Sequence, residues 1–190
     1  MTDENLAKEV KAALIPKHLM TIKDLNEWES NNILDAQHTY FYTPKKRVFT
    51  SDLIQKLHKA MFGSTWTWAG IYRNHNIKTG SDYTRISKDI YELCIAHAHW
   101  QNKQMNIIEQ SVRLHHALSN IRAFEGGNLR HARMMADLLL YTTGHKRPAW
   151  PDAEAIKKTD FMKKYGDSMK LADKGDYGPL LELTWELMRE

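Results

Sequence analysis

Ile121-Arg122-Ala123-Phe124-Glu125-Gly126-Gly127-Asn128-Leu129-Arg130-His131-Ala132-Arg133 runs straight into the apolar stretch Met134 to Tyr141, with Gly144 beyond it as a stop signal. A glycine turn feeding a helix N-terminus presents free backbone N–H groups and the positive end of the helix dipole, and together these bind anions. Arg130 and Arg133 stand at the start of that helix, where the dipole disfavours cations. Their i, i+3 spacing puts them on one face. Two readings follow: the arginines and glycines form an anion site, or the arginines pair with nearby carboxylates such as Glu125 or Asp137.

The surrounding chain sets broad limits. Its 190 residues suit a single domain, 1–190, with a full-sized core. With 42% hydrophobic and 26% charged residues, the composition is that of an ordinary globular protein. No apolar run approaches the roughly 18 residues of a membrane span, so no membrane partner is expected. The first residues, MTDENLAKEV, are acidic and lack the apolar core of a signal peptide. Cys94 is alone, which excludes an internal disulfide and fits a reducing, cytoplasmic compartment. The net charge of +4 comes without a long basic run, so direct nucleic-acid binding is not expected.

Taken in order, Asp3 to Leu14 predicts a short helix, with Thr2 as cap and Pro16 closing it. Thr21 caps a longer helix from Ile22 to about Tyr42, and Pro44-Lys45-Lys46-Arg47 reads as a solvated connector. Ser51 is the expected cap of Asp52 to Met61, closed by Gly63. Thr65-Trp66-Thr67-Trp68-Ala69-Gly70 reads as a core anchor beside a turn. From Ile71 to Ile86 the helical period is lost, and two short runs, Asn76-Ile77-Lys78 and Tyr83-Thr84-Arg85, predict a small β-hairpin. Ser87 opens the next helix. In it His97 and His99, at i and i+2, cannot share a metal and read as packing or surface histidines. Asn106 to Ser119 is helical, with His115 and His116 near its end as positive complements to the dipole. Thr159 is the expected cap of Asp160 to Ala172, and a Lys174-Gly175-Asp176 turn leads to a last helix, Tyr177 to Arg189. The fold class is all-α, a helical bundle with one hairpin.

Phe124-x-x-Gly127-Asn128-x-Arg130-x-x-Arg133 resembles the signature loop of the Fic (Fido) family, His-Pro-Phe-x-(Asp/Glu)-Gly-Asn-Gly-Arg-x-x-Arg. The wider chain, from about Leu14 onward, is similar to the Fic-related group called mobile mystery protein B. The blocks that carry this are Leu57-His58-x-x-Met61-Phe62-Gly63, Trp66-x-Trp68-Ala69-Gly70 and Arg130-His131-Ala132-Arg133-x-Met135-Ala136-Asp137. The resemblance implies a Fic fold with its core at about 50–145, flanking helices, and a hairpin flap whose Ile77, Lys78 and Thr79 dock a target protein.

It also implies an activity, because most active Fic proteins transfer AMP from ATP to a hydroxyl of a target. The motif's histidine is the general base, its acidic residue holds Mg²⁺, and its glycine turn and arginines hold phosphates. Carried over by position, Gly127, Asn128, Leu129, Arg130 and Arg133 are the nucleotide-binding residues. Arg122 stands at the base position, and an arginine has no acceptor for the proton. Gly126 stands at the metal-holding position, so no metal residue is assigned; Glu125, one place early, is the acid left nearby. His116 and His131 are the candidate substitute bases. The family's self-inhibiting segment places Ser or Thr four residues before a glutamate, and no glutamate here fits. Three readings remain open: a Fic protein with degenerate chemistry that keeps its nucleotide cradle, an active transferase with an atypical mechanism or donor serving as a toxin or effector, and a non-enzymatic interaction module that pairs with a small antitoxin or DNA-binding partner.

Overall fold

Apolar residues recur at helical spacing along most of the chain, and helices form where that spacing meets a cap or a turn. The computed structural model describes residues 4–42, 47–151 and 160–189. Its helices are α1 Lys8–Ala13, α2 Ile22–Phe41, α3 Ser51–Phe62, α4 Ile86–Asn102, α5 Ile107–Ile121, α6 Asn128–Thr142, α7 Phe161–Ala172 and α8 Gly178–Arg189. α5 and α6 share the most extensive interface, α2 lies on α3, and α7 pairs with α8. No helix among the described residues is long and apolar enough to cross a membrane.

The main core joins one face of each central helix. Ile54, Leu57, Met61 and Phe62 of α3 meet Ile86 and Ile90 of α4, Leu114 and Leu118 of α5, and Met134, Met135 and Leu138 of α6. Burying each such side chain stabilises the fold by about 1.5–3 kcal/mol. A second cluster ties Val112 of α5 to Tyr165 and Ala172 of α7 and to Leu180, Leu183 and Leu187 of α8.

Several local expectations change. The described residues before Lys8, 4–7, are not helical; Asn5 instead forms an isolated bridge to Thr21. Thr21 does cap α2, in a reciprocal capping box with Asp24. Thr50, not Ser51, caps α3, accepting from the Leu53 N–H at 3.1 Å, because the Ser51 hydroxyl is held at 2.9 Å by the Tyr72 hydroxyl. Ser87 caps nothing, since α4 continues directly from a short 3₁₀ turn at Tyr83–Arg85. Thr2, Thr159 and Pro44 to Lys46 lie outside the described residues; Arg47 is stacked over the Tyr40 ring at 4.7 Å rather than solvated.

The hairpin is the largest correction. Among the described residues there is no strand, and residues 71–85 form an irregular loop. Side chains have taken the bonds that a ladder would use. The Arg73 guanidinium donates to the carbonyls of His75, Ser81 and Arg122. Asn76 donates to Asp82 at 3.0 Å and accepts from the Tyr83 N–H at 2.9 Å, while Asp82 accepts from the Thr84 N–H. With its backbone groups satisfied in this way, the loop has no need of cross-strand pairing.

His115 is also corrected. It is fully buried, donor or acceptor to the Tyr165 hydroxyl at 2.9 Å, and burial beside Arg133 pushes its pKa down to about 3, so it carries no charge to complement a dipole. Burial likewise pushes His58 down to about 4 and His131 well below its usual value. These rings are neutral in the fold and titrate near 6.5 when unfolded, so the unfolded state takes up protons first as pH falls below about 6.5 and stability drops. Asp137 acts in the opposite sense. Burial raises its carboxyl from 3.8 to about 7, so its contribution is fully present below its unfolded value and is lost as pH rises through about 7. The melting temperature is therefore expected to fall between pH 6.5 and pH 4, and Asp137→Asn to steepen that fall. A melting series by circular dichroism tests this, and a flat profile over that interval would contradict neutral burial of the three rings.

Candidate functional site

The loop between α5 and α6 is built by two left-handed residues and one side-chain clamp. Arg122 ends α5 at φ 49°, ψ 58°, with its N–H on the Leu118 carbonyl. That conformation is uncommon for a residue other than glycine. It is held from outside: the Arg122 carbonyl accepts from Arg73 Nε at 2.8 Å, the Arg73 N–H donates to the Ala123 carbonyl, and the Ser81 N–H donates to the Ile121 carbonyl. Next, the Asn128 amide closes the loop, accepting from the Phe124 N–H at 2.9 Å and donating to the Phe124 carbonyl at 2.8 Å. Gly127 then starts α6 at φ +69°, and no side chain caps the first turn. The exposed N–H groups and dipole of that turn face an open cleft.

Arg122, Gly127, Asn128, Leu129, Arg130 and Arg133 line this cleft of about 620 Å³ together, with Gly126, Glu125, Ile77 and Met162. A second cleft of about 650 Å³ shares Arg122, Leu129 and Met162 and extends to Thr79, Ser119, Tyr165 and Lys170. Ile77 and Thr79 of the loop thus border the clefts, whereas Lys78 is exposed and lines neither. Asn128 contributes backbone only, since its amide is committed to Phe124.

The charged groups are held differently from one another. Arg130 pairs not with Glu125 or Asp137 but with Glu29 of α2, at 2.8 Å, and Glu29 also accepts from Trp66 Nε1. Arg133 lies over the rings of Trp150 at 4.8 Å and Tyr165 at 5.0 Å. Asp137 accepts from Trp150 Nε1 at 3.1 Å, and the charge of Arg133 acts on its carboxyl as well. Glu125 is turned toward His75 at 3.5 Å. Neither substitute base serves: His131 is buried on the Ile54 carbonyl at 3.0 Å, and His116 is bound to Asp173 at 2.8 Å.

His58 is a site residue that residue types alone did not single out. Its Nδ1 accepts from the Gly70 N–H, which leaves Nε2 protonated to donate to the Gly126 carbonyl at 3.0 Å. Its ring stacks on Phe124 at 3.7 Å. The block Leu57-His58-x-x-Met61-Phe62-Gly63 was the available signal, but nothing local in it points to the loop.

A Cβ on Gly127 would lie 2.5 Å from two atoms of the Phe62 ring, and the residue already holds φ +69°. Gly127→Ala is therefore expected to lower stability by about 2–4 kcal/mol, combining left-handed strain with overpacking. Denaturant unfolding measures this; a loss under about 0.5 kcal/mol would show that the loop can move off α3 without strain.

Residues 48–140 match the model of the Fic/DOC family. Comparison with curated proteins finds no match. Among solved structures, the chain is similar to the N-terminal Fic domain of a Bartonella effector protein from Bartonella sp. AR 15-3, at 19% identity and TM-score 0.71, covering 97% of this chain and 94% of that one. It is similar to BepC from Bartonella tribocorum, solved with bound AMPPNP, at 18% identity and TM-score 0.66, covering 87% and 86%. It is also similar to the N-terminal Fic domain of an effector from Bartonella quintana, solved with bound ADP, at 16% identity and TM-score 0.67, covering 90% and 87%. The helical order, the clamped loop and these likenesses together establish that this chain has the Fic fold.

Proposed function

We propose that this chain is a Fic-family protein that binds the phosphates of a nucleotide at the N-terminus of α6 and has lost, or nearly lost, the AMP-transfer chemistry of its family. The observation that carries this reading is the joint presence of Gly127, Arg130 and Arg133 on one cleft with Arg122 at the base position. The uncapped first turn of α6 and the arginines supply donors and positive charge for phosphate oxygens. The nucleotides bound to BepC and to the Bartonella quintana domain agree with such a ligand. Arg122 cannot remove a proton from an attacking hydroxyl, and losing a general base costs about a hundredfold to ten-thousandfold in rate. The loop carrying Ile77, Lys78 and Thr79 borders the cleft and is the proposed docking edge for a protein partner.

Two measurements test this. ADP titrated into the protein should bind with a measurable heat, and incubation with labelled ATP, Mg²⁺ and lysate should give no AMP transfer above background. Restoring chemistry needs room as well as residues, because a Cβ on Gly126 meets Trp68 at 3.0 Å. The variant Arg122→His/Gly126→Glu/Trp68→Leu is therefore expected to raise transfer at least about tenfold over the wild type. Robust transfer by the wild type, abolished by Arg122→Ala, would overturn the proposal.

A further inference from the structure

The divalent metal that Fic chemistry uses does not fit this cleft. Gly126 stands where its acidic ligand belongs, and Trp68 Cη2 lies 3.0 Å from the place a side chain would begin. Glu125 is drawn to His75, and Glu29 is occupied by Arg130 and Trp66. Among the described residues, no group of three His, Cys, Asp or Glu could hold a metal ion. Hard divalent cations need such oxygen donors, or at least one carboxylate beside the phosphates.

Arg122 supplies what that metal position lacks. Its backbone is clamped at both ends, by Leu118 and by Arg73, in a left-handed conformation. Its side chain borders both clefts and makes no hydrogen bond or ion pair among the described residues. Arg130 is paired with Glu29, and Arg133 is packed against two aromatic rings with its buried Nε unbonded, so Arg122 is the arginine of the three whose side chain has neither an ion pair, a hydrogen bond nor a ring contact among the described residues. A guanidinium offers a planar fork to phosphate oxygens and stays charged at every working pH. A half-buried cation without a counter-ion is costly, and an arriving phosphate relieves it.

Resting on the phosphate-binding reading above, we infer that Arg122 takes the place of the divalent cation, so that this cleft selects a nucleoside di- or triphosphate free of metal. A bound divalent cation removes two negative charges from the polyphosphate and occupies the oxygens that the arginines would grip. Metal-free ligand therefore fits the cleft better than its metal complex.

Calorimetric titration of the whole protein with ADP, once in EDTA and once in excess MgCl₂, tests this. Affinity in EDTA is expected to exceed that in MgCl₂ by about three- to tenfold; equal affinity, or tighter binding with MgCl₂, overturns the inference. Asparagine tolerates the left-handed conformation, so Arg122→Asn should fold with an unchanged melting curve. It is expected to weaken ADP binding in EDTA at least tenfold and to reduce its salt dependence. Unchanged affinity in EDTA for this variant also overturns the inference. Absence of ADP binding under both conditions refutes the nucleotide reading itself, an outcome distinct from binding that depends on magnesium.

Discussion

The Phe62 ring leaves no room for a side chain at residue 127, and this contact governs the shape of the whole cleft. Phe62 is fully buried at the end of α3, so the loop must come to it rather than the reverse. Gly127 can approach because it lacks a Cβ and accepts a positive φ. From that point α6 departs with its first N–H groups uncapped. His58, one turn earlier on α3, adds a second tie, holding the Gly126 carbonyl and stacking on Phe124. Burial keeps that histidine neutral, and both ring nitrogens are committed, Nδ1 to the Gly70 N–H and Nε2 to the Gly126 carbonyl, which suits a structural role.

Around this tie, the arginines show how one residue type takes three different roles. Arg130 is bound to Glu29, but its side chain is 45% exposed, and an ion pair of that kind contributes at most about 1 kcal/mol. Arg133 rests on Trp150 and Tyr165, so α7 and the segment at Trp150 help to shape the cleft. Arg122 is held by its backbone alone. The cleft therefore presents one cation tethered by a carboxylate, one packed against rings and one whose side chain makes no hydrogen bond or ion pair among the described residues.

The loop of residues 71–85 completes the wall opposite. Its shape follows from Arg73, a buried guanidinium that spends its donors on backbone carbonyls from both the loop and residue 122. One side chain thus sets the loop against the end of α5, and no sheet is needed to position it. The same residue keeps Arg122 in its strained conformation, so loop and cleft are mechanically one unit.

Local sequence was enough for the helices, the Thr21 cap, the Gly127 turn and the grouping of Gly127, Arg130 and Arg133 on one surface, because those depend on spacing and on the conformational freedom of glycine. It could not foretell which carboxylate each arginine would meet, since Glu29 lies about a hundred residues from Arg130 in the chain and reaches it only when α2 packs against the core. Nor could it tell a hairpin from a side-chain-bonded loop, because the polar residues that punctuate a turn are the same ones that can replace a strand's hydrogen bonds. The role of His58 and the obstruction of Gly126 by Trp68 likewise arise only where α3 and its following turn press on the loop. Local propensity determined the elements and the candidate cradle; tertiary packing decided which of its charges remain free to bind.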